Sequence, residues 1–154
     1  MKRKLLISVL KHVDMKILKL CSLLLFAATL PLKAQQYTIE NCVNEFRKDK
    51  VDSTEAGYQY WFADKKFVED SRTLKLSVVD VGKATHAPHK HPEDEFFFIL
   101  EGNAEFYLDG KTKVVGPYTS LYCPSNVMHG IKNAGDVQLK YLVIKKYEQP
   151  KAEK

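Results

Sequence analysis

The sequence contains little glycine, proline or cysteine and no low-complexity tract. There are 7 glycines, 6 prolines and 3 cysteines in 154 residues, which excludes disordered and fibrous classes of protein. The longest clean apolar run, Leu20 to Ala28, is too short to span a bilayer. Hydrophobic residues make up 45% of the chain and aromatic residues 11%, which is enough to build one globular domain.

Most of the chain also lacks an excess of charge of one sign. Residues 1–34 hold seven lysines and arginines against one acid, whereas residues 35–154 hold 17 basic and 18 acidic residues. The formal net charge of +5 therefore belongs to the N-terminal segment. Because the remaining chain has no basic excess to attract phosphates, we expect no nucleic-acid partner.

The basic N-terminal segment has the order of a secretory signal peptide. Basic residues precede the apolar run, and small residues end it at Ala34. We predict a signal peptide over 1–34, with 15–34 as its core; a buried N-terminal helix and lipidation at Cys21 are the alternatives. The mature protein is then expected to begin at Gln35 and to be periplasmic or extracellular. We expect no membrane partner after the signal is removed.

The hydrophobic periodicity changes once along the rest of the chain. Ile39 to Phe46 has apolar residues at helical spacing, with Thr38 as a cap, and Asp49 to Gly57 is a polar loop. From Tyr58 onward apolar residues recur with a period of two, as in strands. The predicted strands are Tyr58–Phe62, Leu74–Val81, Phe96–Leu100, Ala104–Leu108, Lys111–Val115, Ser120–Cys123, Met128–Ile131 and Val137–Lys145.

These strands follow one another with turn residues between them. Asp109-Gly110 is a two-residue signal for a type I′ hairpin. Short strands at such spacing predict an all-β sandwich or barrel. The expected organisation is an N-terminal helix with leading strands over 35–73 and a barrel over 74–148.

Two cysteines remain after the leader, Cys42 and Cys123. In an oxidising compartment they could form one disulfide, or they could remain two separate buried thiols. The sequence leaves both possibilities open.

Three histidines fall within six residues, at His86, His89 and His91. Residues i and i+2 of a strand point to the same side, so His89 and His91 can converge on one point, and a bend can return Glu95 toward them. His129 is the only histidine on another strand that could join them. Three imidazoles and a carboxylate suit one divalent transition metal, Zn, Fe, Mn, Ni or Cu. The alternative is a set of surface histidines on a polar loop.

The spacing of these residues resembles the first motif of the cupin superfamily. His89 and His91 are followed by three residues, Glu95, six residues and Gly102, as in that motif. The motif's leading glycine is matched by Gly82, one residue further from His89 than the family pattern has it. All ligand positions of the motif hold side chains that can bind a metal.

A second cupin motif is matched about thirty residues later. Pro124, His129 and Asn133 correspond to its proline, histidine and asparagine. Gly116 lies two residues further from Pro124 than in the family pattern, and Asn126 stands where the motif has glycine. Asparagine is the residue that best replaces glycine at positive φ.

The resemblance implies a small single-domain bacterial cupin. Such a protein is all-β, with one conserved barrel, a double-stranded β-helix or jelly roll, here preceded by a short helix. It implies that one metal is held by His89, His91, Glu95 and His129. Four protein ligands leave two positions of a six-coordinate metal open for a small-molecule ligand that is oxygen-rich or sugar-like.

Cupins share a fold far more than a function, so the resemblance does not choose the reaction. We expect a metal-dependent enzyme of oxygenase, isomerase or lyase type; the alternatives are a non-catalytic metal- and saccharide-binding module and a barrel with a vestigial site. The candidates for proton transfer are His86, Tyr107, Tyr118 and Tyr122, although His86 could also be a simple loop residue.

The run Phe96-Phe97-Phe98 places large side chains on both sides of its strand. Only one side can face the interior of a small barrel. We therefore expect a homodimer that covers the other side, unless aromatic residues of the same chain do so.

Overall fold

The computed structural model describes residues 37–65 and 71–147, so the predicted leader over 1–34 lies outside the described residues. The chain divides into two compact units, Met1–Cys42 and Val43–Lys154. In the part of the chain that the structure describes, no helix has the length and hydrophobicity needed to cross a membrane. The elements in chain order are α1 Ile39–Cys42, a 3-10 helix Lys48–Lys50, β1 Asp52–Thr54, β2 Gly57–Ala63, β3 Arg72–Val79, β4 Glu95–Glu101, β5 Ala104–Leu108, β6 Lys111–Val115, β7 Ser120–Cys123, β8 His129–Asn133 and β9 Leu139–Lys146.

Helix α1 in the first unit is shorter than the predicted helix over Ile39–Phe46. Thr38 is its N-cap, and the Thr38 N–H donates to Asn41 Oδ1 at 3.0 Å, which is one half of a capping box. No residue of α1 is buried. The helix is short because isolated helices depend on tertiary packing for most of their stability.

The nine strands found in residues 37–65 and 71–147 all belong to the second unit and form two antiparallel sheets. One sheet has the order β1-β2-β3-β9-β4-β7 and the other β6-β5-β8. The prediction of an all-β cupin-type barrel is confirmed, and each predicted strand is found as one of β2 to β9. Strand β1 falls in the predicted loop; its residues are all exposed, so no apolar alternation marks it.

The core lies between the sheets, and burial alternates along β4, β7 and β9. On β4, Phe97 and Ile99 are buried, whereas Phe96 and Leu100 are exposed. Phe97 packs edge-to-face against Tyr141 at 5.4 Å between ring centroids. The buried cluster consists of Ala56, Val79, Phe97, Ile99, Ala104, Leu121, Cys123, Ile131, Leu139, Tyr141 and Val143.

Two turn predictions are confirmed by the backbone. Asp109 and Gly110 have φ of 45° and 81°, the two positive values that a type I′ turn needs. Asn126 has φ of 59°, so it adopts the left-handed conformation for which the motif uses glycine. Asn133, the last residue of the second motif, is fully buried and donates to the Val79 and Val137 carbonyls at 2.9 and 2.8 Å.

Candidate metal centre

The backbone sets His89 and His129 side by side. Each donates its N–H to the other's carbonyl at 2.9 Å, so the two residues form an antiparallel bridge and their side chains lie on one side of it. His91, two residues on, brings its ring centroid to 4.8 Å from that of His129. Glu95, the first residue of β4, is buried and faces them. The structure therefore brings together all four residues predicted as ligands.

Each of the three histidines is held through its Nδ1 atom. That nitrogen donates to the carbonyl of a residue two positions away, at 3.1 Å for His89, 2.7 Å for His91 and 2.8 Å for His129. A carbonyl oxygen only accepts, so Nδ1 is the donor in each contact and Nε2 is the ring nitrogen that faces the other predicted ligands. This is how histidine is commonly oriented to bind a metal through its other nitrogen.

The Nε2 atoms meet one carboxylate oxygen. Glu95 Oε1 lies 3.0 Å from His129 Nε2 and 3.4 Å from His91 Nε2. One ring nitrogen of each of the three histidines lies within 4.8 Å of the others. Among the buried side-chain nitrogens and oxygens of the described residues, His91 Nε2 is the one without a hydrogen-bond partner. Imidazole nitrogens and a carboxylate oxygen that converge in this way are the donor set that divalent transition metals prefer, so these residues fit a divalent metal.

Cys123 is a neighbour of this group that the sequence did not indicate. It pairs with Glu95 across β4 and β7, and its sulfur lies within 4.8 Å of ligand atoms of Glu95 and His129. Burial, and then the nearby Glu95 charge, raise the pKa of the Cys123 thiol to about 12. Cys42 and Cys123 are both free cysteines, the first exposed and the second buried.

The histidines and Glu95 line a cavity of about 180 Å³. His86 also lines it, with its ring centroid 5.7 Å from that of His89. Burial lowers the pKa of His86, and neighbouring His89 and Lys75 lower it further. His86 is thus the candidate for proton transfer that reaches the metal site.

The three tyrosine candidates lie elsewhere. Tyr107 lines a neighbouring groove of about 450 Å³ on the far side of His86. Tyr118 is 83% exposed. Tyr122 lies on the outer side of β7 and donates to Asp94 Oδ2 at 3.1 Å.

The cavity wall also holds four ionisable residues that were not predicted: Lys75, Tyr141, Lys145 and Tyr147. Burial raises the pKa values of Tyr141 and Tyr147, and the Tyr141 hydroxyl lies 3.3 Å from Thr85 Oγ1. The lysines had a signal in the sequence, since each is a charged residue inside an apolar strand. The sequence does not show which side of each strand faces inward, so these lysines could be placed in the cavity only with the structure.

Comparisons with known proteins agree with this geometry. The family described as Cupin domain matches residues 75–145, which include all four predicted ligands. An uncharacterized protein of Methanocaldococcus jannaschii is 32% identical over 71 residues, which are 46% of this chain and 57% of the relative. The chain thus spans 57% of the length of that curated relative.

Solved structures share the barrel at low sequence identity. A Cupin 2 conserved barrel domain protein from Salinispora arenicola CNS-205 aligns with a TM-score of 0.58 and 18% identity, over 68% of this chain and 87% of its own. The polyketide cyclase RemF from Streptomyces resistomycificus aligns with a TM-score of 0.57 and 21% identity, over 70% and 82%. At such identities the likeness shows the fold. The matched domain, its two motifs and the shared fold together identify a cupin barrel over residues 75–145 of this chain.

Proposed function

We propose that the protein is an exported cupin enzyme that binds one divalent transition metal and acts on a small oxygen-rich molecule. The ligands would be His89, His91, Glu95 and His129. The observation that carries the proposal is the buried His91 Nε2 atom, which has no hydrogen-bond partner and lies 3.4 Å from Glu95 Oε1. When bound, the metal would polarise a substrate oxygen or activate O₂.

The chain's own residues support catalysis in three ways. The carbonyl contacts of the Nδ1 atoms orient the imidazole rings. His86 lines the cavity and has ring nitrogens that can accept or donate a proton. The walls of the cavity, including Phe97 and Ile131, exclude water from one side of it. A polyketide cyclase of the same fold also supports an enzymatic use of such a barrel.

A non-catalytic binding module is the second candidate. The placement of Tyr107, Tyr118 and Tyr122 outside the cavity favours it, because fewer acid–base groups then remain near a bound molecule. Screening the metal-loaded protein for turnover of hydroxy acids, keto acids and sugars, beside a His86→Ala control, separates the two. Turnover that falls when His86 is removed supports the enzyme, and binding without turnover supports the module.

The metal proposal is tested by comparing His129→Ala with His86→Ala. We expect His129→Ala to lose the metal and to melt at a lower temperature, because the metal joins two distant chain segments. His86→Ala should keep about one metal per chain. The metal content of each variant is measured by elemental analysis of protein purified without added metal. Full occupancy in His129→Ala would refute the ligand set, as would metal loss in His86→Ala with retention in His89→Ala.

Export is proposed from the charge asymmetry and apolar run of residues 1–34. N-terminal sequencing of the protein from its native host should begin at or near Gln35. Recovery of residues 1–20 on the native protein would contradict export with cleavage.

A homodimer through the outer side of the six-stranded sheet is also proposed. Phe96 is 43% exposed there, and its ring lies 4.8 Å from that of Tyr122, centroid to centroid. Ile144, which pairs with Phe96, is 44% exposed. A contiguous apolar patch of this kind is typical of an interface, and a second copy offers the matching patch. Light scattering that shows a monomer at micromolar concentration would contradict the dimer.

A further inference from the structure

Two lysines line the metal-site cavity from neighbouring strands, Lys75 on β3 and Lys145 on β9. Lys145 pairs with Thr73 across these strands and with Glu95 on the other side. Both lysines therefore lie on the sheet face that carries the predicted ligand Glu95. Moving an ammonium out of water into a cavity wall is costly unless its charge is compensated.

Lys145 has a compensating acid. Its Nζ lies 3.6 Å from Glu93 Oε2, and its side chain is 10% exposed. The pKa of Glu93 is lowered by its backbone hydrogen bond and also by Lys145. Lys145 and Lys65 both lie over the ring of Tyr147, at 4.9 and 3.6 Å from its centroid. The charge of Lys145 is therefore compensated within the protein.

Lys75 has no such acid among the described residues. Its Nζ lies 5.1 Å from the centroid of the Trp61 ring. Burial lowers the pKa of Lys75, while Glu95 raises it and Lys145 lowers it. An ammonium that lines a cavity beside a ring, with no carboxylate of its own, is available to an anion that enters the cavity.

The charges around the cavity favour the same ligand. Among the described residues that line it, Glu95 is the one carboxylate, against two lysines. A divalent metal would add two positive charges, and Glu93 offsets only Lys145. A closed, partly apolar site strengthens the resulting field and concentrates anions. The volume of about 180 Å³ limits the ligand to a small molecule, since most ligand pockets measure roughly 300–1,000 Å³.

We propose that the molecule bound in the cavity is a small carboxylate, such as a 2-hydroxy or 2-oxo acid, and that Lys75 binds its negative charge. This inference rests on the proposed function, because the same cavity would hold the metal. It narrows the substrate class from oxygen-rich molecules in general to anions. A neutral sugar could accept a hydrogen bond from Lys75 but would not neutralise its charge, so its bond would be weaker than that of a carboxylate.

The test is a calorimetric titration of zinc-loaded protein with three probes. Lactate is the carboxylate, propane-1,2-diol is the neutral molecule of the same carbon skeleton, and inorganic phosphate is a second anion. We expect lactate to bind to the wild type, and we expect Lys75→Gln to lower the affinity for lactate by about tenfold. The affinity for the diol and the zinc content should not change in this variant. Lys75→Arg should retain lactate. Lys140→Gln is the matched control, because Lys140 pairs with Glu101 outside the cavity, at 2.6 Å.

Trp61 gives a second readout, because it is the only tryptophan in the chain and lies beside Lys75. Its fluorescence should respond to lactate in the wild type and in Lys140→Gln. If Lys75→Gln does not fold, Lys75→Arg carries the comparison: it must keep lactate binding, and added salt must weaken lactate but not the diol.

The outcomes separate this inference from the metal proposal. Equal lactate affinity in wild type and Lys75→Gln at full zinc content would overturn the inference alone. Binding of phosphate but not lactate through Lys75 would overturn the carboxylate assignment. If the wild type takes up no zinc but still binds lactate through Lys75, the metal proposal fails and the anion site stands.

Discussion

Alternate side chains of strand β4 lie on opposite sides of the sheet and have different roles. Glu95, Phe97 and Ile99 face inward, where they supply a carboxylate at the mouth of the barrel and apolar packing below it. Phe96 and Leu100 face outward and stay exposed. The apolar run of β4 is therefore not one buried strand. Within the same seven residues, alternate side chains form part of the barrel interior and part of an exposed apolar patch.

The largest difference between the two sides should be in folding stability. Phe97→Ala removes a ring that is 5% exposed and packs on Tyr141 and Phe106, so the free energy of unfolding should fall by about 3–5 kcal/mol. Phe96→Ala, on the outer side, should lower it by about 1 kcal/mol or less. Urea denaturation of both variants measures this. Equal losses would mean that the outer patch is part of the core.

Thiol reactivity tests the inner side at β7. With a pKa of about 12, roughly one Cys123 thiol in ten thousand is ionised at pH 8. Iodoacetamide should therefore label exposed Cys42 at least about a hundredfold faster than buried Cys123. Peptide mass spectrometry over a time course follows both sites. Rapid labelling of Cys123 in the native protein would show that this part of the barrel opens.

Charge on the outer side should weaken the proposed dimer. Ile144→Glu places a carboxylate in the apolar patch and should raise the dissociation constant by about tenfold or more. Val114→Glu is the control, since Val114 is 58% exposed on the other sheet. Sedimentation velocity over a concentration series compares them. An unchanged dimer in Ile144→Glu would place the interface elsewhere.

The smallest effect concerns Tyr141 at high pH. Burial raises its pKa in the folded protein, so above about pH 10 the unfolded chain loses this proton while the folded chain keeps it. The stability that Tyr141 contributes is complete below pH 10 and declines as the pH rises further. Tyr141→Phe should cost about 1 kcal/mol at pH 8 and less at pH 11, by urea denaturation. If Tyr141→Phe lowers the free energy of unfolding equally at pH 8 and pH 11, the pKa of Tyr141 is the same in the folded and the unfolded chain.

Features that depend on neighbours along the chain could be predicted from the sequence. The strand pattern, the Asp109-Gly110 hairpin and the turn at Asn126 are of this kind. The convergence of His89 with His91 follows from their spacing. His129 could be added to them because it matches the histidine of the second cupin motif, although no local pattern shows that it lies nearby.

Features that depend on register could not be predicted. Lys75 and Lys145 belong to the site only because the odd-numbered residues of β3 and β9 face inward, while Leu74 and Leu76 face the other way. That choice is set by pairing between strands far apart in sequence. The end of α1 at Cys42 was missed for a related reason, since an apolar stripe predicts a helix only where there is a surface for it to cover.

Strand β9 is the last of the strands in the described residues and yet lies in the middle of the six-stranded sheet, between β3 and β4. Val79 pairs with Leu139 and Arg72 with Lys146, so the sheet is joined by residues that are synthesised long after their partners. Pairing over such separations is slow because the intervening chain must be ordered first. During translation β3 and β4 therefore have no partner to bridge them. We therefore expect the six-stranded sheet to be completed only after β9 has been synthesised, and a truncation within β9 to separate β3 from β4 rather than to shorten one edge of the sheet.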